Sequence, residues 1–90
     1  MKLASDDETL AENKVLILYA LNKANKPLTN DVLYKIVLAA ANMNYFYFQQ
    51  FMLDLIEVGY ICSFQKEEQT LYQVTESGKR TLDLTLDLLP

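Results

Sequence analysis

The stretch Asn44–Ile61, NYFYFQQFMLDLIEVGYI, decides how the rest of the chain is read. Phe48, Met52, Leu55 and Val58 recur at helical spacing, and Phe51 widens their apolar stripe. Gly59 supplies the left-handed residue on which helices commonly end. Tyr60 and Ile61 then open a β-like run. The expectation is one helix, capped by Asn44 or up to three residues later because Tyr45–Phe48 is too aromatic to fix the boundary, that stops at a glycine and passes directly into a strand.

Downstream, the runs Tyr60–Gln65 and Thr70–Thr75 alternate as strands do and predict a hairpin. Their connection, Lys66-Glu67-Glu68-Gln69, lacks the Asn-Gly of a tight turn, which predicts a four-residue or looser loop. Leu82 to Leu88 alternates strictly, a strand signal, yet leucine is a strong helix former and Thr75 is a natural cap. A terminal helix is the expectation. On it Leu82, Leu86 and Leu89 form one stripe, and Thr81, Leu84 and Leu88 a second with no owner inside the domain.

Upstream, residues 1–8 read as a frayed acidic tail, and Thr9 with Glu12 has capping-box spacing for a first helix reaching about Ala24. The centre of that helix, Val15–Leu21, is apolar on every side. Either it sits centrally among the other helices, or a second chain covers its far side. Asn25-Lys26-Pro27 breaks it, and Leu28 suits a strand of one or two residues. Thr29 or Asn30 caps a second helix with Asp31 in its first turn. Leu33, Ile36, Val37 and Ala40 are its expected core face, with Tyr34 and Lys35 outward or at the edge. Ala41–Asn44 then suits the turn of a helix-turn-helix.

The composition narrows the chemistry. With 90 residues the chain makes one small domain, here residues 9–90, with a stability of roughly 5–13 kcal/mol. It contains no histidine, which excludes Ser-His-Asp, Cys-His and imidazole-metal chemistry together. No enzyme activity, cofactor or metal is expected. The single cysteine, Cys62, excludes an internal disulfide framework and fits a reducing cytoplasm, and no cation neighbours it in sequence to activate its thiol. No apolar run approaches a membrane span. The net charge of −4 opposes a nucleic-acid role, because phosphate binding draws on Lys and Arg.

Helix, helix, helix, hairpin, helix resembles the winged-helix superfamily, including multiple-antibiotic-resistance-type and PadR-type regulators. The expected class is thus α+β, mainly α: a winged helix-turn-helix of three helices, a two-stranded wing and a C-terminal helix. Four motifs resemble more closely a bacterial winged-helix family catalogued as domain of unknown function 4364. They are Glu12–Tyr19, Pro27–Asn30, Asn44-Tyr45-Phe46 with Gln49-Gln50 and Gly59, and the junction Val74-Thr75-Glu76-Ser77-Gly78-Lys79. The resemblance covers residues 12–90. It implies a transcriptional regulator and a natural chain that continues past Pro90. Tyr47 departs from it, since a threonine there would form a capping box with Gln50.

Two functions follow from these readings. In the first, the chain is a DNA-binding regulator acting through the third helix and the wing. Tyr45, Gln49 and Gln50 are its candidate base contacts. Lys35 and Lys66, among Lys26, Lys79 and Arg80, are candidate backbone contacts. The plain alternative is that both glutamines are solvated surface, and Leu53, Asp54 and Glu57 are expected to share that outward face. In the second, the chain is a dimerisation or protein-interaction module without DNA binding. A homodimer is expected in either case, through the first and last helices, with Leu16, Tyr19, Leu84 and Leu88 at its interface. The aromatic run Tyr45–Phe48 with Phe51 is read as core rather than as a ligand pocket.

Overall fold

A computed structural model describes residues 7–86. The elements run α1 (Asp7–Ala24), α2 (Asn30–Ala40), α3 (Tyr45–Glu57), β1 (Ile61–Lys66), β2 (Gln69–Val74) and α4 (Glu76–Thr85). This is a winged helix. α1 starts at Asp7, three residues earlier than the capping-box spacing predicts, so Thr9 lies inside the first turn rather than at the cap. Residues 1–6 of the expected tail lie outside the described residues.

α1 ends where Asn25 turns left-handed, at φ 57°, just ahead of Pro27. Leu28 then bonds to Tyr72 in both directions, N–H to C=O at 3.0 Å and back at 2.8 Å, an isolated antiparallel bridge of one residue beside the hairpin. Thr29 caps α2, its hydroxyl accepting the Val32 amide at 3.3 Å. Asn44 caps α3, its side-chain oxygen accepting the Phe46 amide at 2.7 Å.

The core forms where α1 crosses the other elements. Ile17, Leu18, Leu33, Val37, Phe48 and Ile61 are fully buried, joined by Met52, Leu55, Val74 and Leu82. α1 packs against α2, α3, α4 and β2, so its all-round apolar centre is largely spent inside the domain. Val15, Ile17, Leu18, Ala20 and Leu21 are buried, while Leu16 is half-buried and Tyr19 exposed.

Three core assignments on α2 and α3 are corrected. Ile36 and Ala40 are exposed, because the fully buried residues of α2 are Leu33 and Val37. Val58 is exposed too, since it stands at the C-cap, past the last layer of core contacts. Tyr34, expected outward or at the edge, is half-buried at the edge of the core. Its hydroxyl donates to the Met43 carbonyl at 2.9 Å.

Gly59 ends α3 at φ +88°. Its amide reaches the Ile56 carbonyl at 3.0 Å and that of Tyr60 reaches Leu55 at 2.9 Å, the paired bonds of a Schellman motif. Thr75 ties this corner to α4. Its hydroxyl donates to the Gly59 carbonyl at 2.6 Å and accepts the Gly78 amide at 3.0 Å.

The hairpin pairs Ile61 with Val74 through to Lys66 with Gln69, which leaves a two-residue turn rather than the looser loop expected. Glu67 and Glu68 sit at φ 51° and 66°, as a type I′ turn requires. Neither is a residue that favours this region. Substituting Asn-Gly for Glu67-Glu68 should raise stability by about 1 kcal/mol, read as a higher urea midpoint at unchanged slope. An unchanged or lower midpoint would contradict the turn geometry.

Candidate nucleic-acid interface

α3 is set against α2 by an aromatic cluster. Tyr34 meets Tyr45 edge-on at 4.8 Å and lies 5.0 Å from Phe48, centroid to centroid. Asn30 donates to the Tyr45 hydroxyl at 2.9 Å. Tyr45 is therefore exposed along one side of its ring but engaged at its tip. It braces the turn as much as it faces outward.

The outer stripe of α3 is Phe46, Gln50, Leu53 and Glu57, spaced i, i+4, i+7, i+11. Phe46 is 73% exposed and Leu53 61%. Phe46 was not singled out by sequence reasoning, which counted it among core aromatics. Gln49 departs from its expected outward position. It is half-buried, with a side-chain oxygen that is buried and has no hydrogen-bond partner. Gln50 is exposed, and its amide nitrogen donates to Asp54 at 3.2 Å.

Asp54 is not a free outward charge either. Lys14, on α1, approaches its other carboxylate oxygen at 3.2 Å with both side chains about one-third exposed (35% and 36%). A surface pair of this kind contributes little to stability. Its effect is electrostatic, cancelling one of the two negative charges on α3. No local spacing could have disclosed it, because the partners lie on different helices.

Lys35 on α2 and Lys66 at the end of β1 are exposed and have no carboxylate partner within 4 Å among the described residues. The wing tip beside Lys66 carries Glu67 and Glu68, both exposed. At the base of the hairpin, Lys26 and Lys79 line a cleft of about 160 Å³ together with Asn22, Asn25 and Gln73. Of the expected dimer contacts, Leu84 is 81% exposed, Tyr19 is exposed beside Lys23, and Leu16 is half-buried. Leu88 lies outside the described residues. Among those residues no group of three His, Cys, Asp or Glu could hold a metal ion, and no helix is long and apolar enough to cross a membrane.

The family model described as Domain of unknown function (DUF4364) matches residues 13–90. The chain belongs to the DUF4364 family. This DUF4364 chain is similar to the crystal structure of SSV1 F-93, with a TM-score of 0.69 and 24% identity, covering 83% of this chain and 86% of that one. It is also similar to Sso10a-2, described as a DNA-binding protein from Sulfolobus solfataricus. There the TM-score is 0.56 and the identity 18%, over 83% of this chain and 78% of that one. At these identities the likeness establishes the fold of the DUF4364 chain. No curated protein matches it.

Proposed function

We propose that the chain is a DNA-binding regulator that lays α3 in the major groove and its wing along the adjoining backbone. The observation that carries this reading is the outer stripe of α3: Phe46, Gln50 and Leu53 stand clear of the core while Lys14 neutralises Asp54 beside them. In this reading Gln50, rather than Gln49, leaves Asp54 to pair with an adenine edge. Phe46, with the exposed side of Tyr45, meets thymine methyls, so A·T steps are preferred. Lys35 and Lys66 meet phosphates. The description of Sso10a-2 as DNA-binding supports the reading at the level of fold.

The charges set its strength. Glu57, Glu67 and Glu68 oppose phosphate, and among the described residues this reading gives Lys35 and Lys66 of each protomer to it, so binding is weak and salt-sensitive. Two phosphate contacts per protomer predict a slope of log K against log salt of about −1.8, or about −3.6 for a pair. Fluorescence anisotropy on an A·T-rich duplex at low salt measures it. Phe46→Ala and Gln50→Ala should each cost about 1–3 kcal/mol of binding without affecting the fold. Lys35→Glu with Lys66→Glu should remove it. No binding by the wild-type chain at low salt and tens of micromolar protein would end this reading.

A second reading is favoured by one specific observation: α3 carries no Lys or Arg, while Phe46 and Leu53 are strongly exposed. An apolar stripe without cations also suits a protein partner. Absence of DNA binding together with an intact fold leaves that reading standing.

A further inference from the structure

α1 keeps a second apolar flank after the core is filled. Leu16, Tyr19, Ala20 and Ala24 line it at helical spacing and, with Ile36 and Ala40 of α2, enclose an open groove of about 240 Å³. Lys23 stands at its rim, its ammonium 5.9 Å from the centre of the Tyr19 ring. The groove is thus greasy along its floor and positively charged at its edge.

α4 offers the opposite surface. Leu82 anchors it in the core, and Leu84, two residues on, lies roughly 200° around the helix, turned away from α1. Leu84 is 81% exposed beside the exposed carboxylate of Asp83, whereas Leu86, four residues past Leu82, returns to the Leu82 side of the helix. Because Leu82 holds the inner face of α4 against its own domain, Leu84 cannot turn into the groove of its own chain.

We propose that two copies of this chain pair reciprocally, α4 of each seating Leu84 in the α1–α2 groove of the other. Asp83 then faces Lys23 across the contact. Shape and charge both match: an exposed leucine flanked by a carboxylate meets an apolar floor rimmed by an ammonium. The pairing is isologous, since each copy gives one groove and one helix end, and a two-fold axis closes it with two equal contacts. It covers both apolar surfaces at once and stands whether or not α3 meets DNA.

Light scattering on the full chain at ~5 and ~100 µM tests it, with a mass near twice 10.4 kDa expected at the higher concentration. Ile36→Glu and Leu84→Glu alter exposed positions and should leave the circular dichroism spectrum unchanged. Each should weaken association about 30-fold or more. An equimolar mixture of the two variants keeps one intact contact, the groove of the Leu84→Glu copy with the helix end of the Ile36→Glu copy, and should yield a heterodimer. Lys23→Glu should weaken pairing, and adding Asp83→Lys should restore it. A monomeric wild-type chain at the higher concentration overturns the proposal. So does a Leu84→Glu variant as dimeric as wild type, which would mean that grooves meet grooves, or a mixture that stays monomeric.

Discussion

Gly78→Ala should cost about 3 kcal/mol of folding stability, a large share of what a domain of this size has. A β-carbon built there collides with the Tyr60 carbonyl oxygen and stands 2.8 Å from the Val74 side chain. Tyr60 cannot withdraw freely, because the same carbonyl accepts the Thr75 amide at 3.0 Å. Its neighbour Gly59 is held by the Thr75 hydroxyl. Relief of the clash therefore pulls α4 away from the corner where α3 ends. Gly59→Ala is the natural comparison. It has open space around it, so only the left-handed backbone at φ +88° is penalised, at about 1–2 kcal/mol. Urea unfolding of both variants checks the order. A Gly78→Ala variant that loses less than Gly59→Ala would contradict the close approach.

Phe48→Ala should cost about 4 kcal/mol, within the range for deleting a fully buried aromatic side chain. The ring fills the core and also backs the bracing of α2 against α3, lying 5.0 Å from Tyr34 and 6.1 Å from Tyr45. Its loss leaves α3 without a fixed seat, so the near-ultraviolet dichroism of the tyrosines should collapse along with the unfolding midpoint. Phe46→Ala, two residues away, should change stability by no more than about 0.5 kcal/mol, because that ring is 73% exposed. Equal losses for the two variants would show that α3 is rotated from the orientation described here.

The architecture was legible because its signals are local. Gly59, Pro27 and the caps at Thr29, Asn44 and Thr75 each act within a few residues, and each marks a boundary the structure keeps. The terminal helix was legible for the same reason, since a cap and leucine propensity outweighed an alternating pattern. The wing turn was not, because Glu-Glu has no preference for the left-handed region and the strands on either side impose it. The outward face of α3 was only half legible. Tyr45–Phe48 places four aromatics in a row on all sides of one helical turn, so periodicity could not tell the exposed Phe46 from the buried Phe48. The burial of Gln49 follows from how α3 is rotated against its neighbours. The Lys14–Asp54 pair needs α1 beside α3, a contact between residues 40 positions apart.

The face proposed for DNA is α3 with the wing. Backbone amide shifts of the isotope-labelled chain, followed while a short A·T-rich duplex is added at low salt, test it most directly. Shifts are expected to concentrate at Tyr45–Glu57 and at Phe64–Thr70, with the α1–α2 groove unmoved. Shifts confined to the groove or to the Lys26–Lys79 cleft, or none at all, would contradict it.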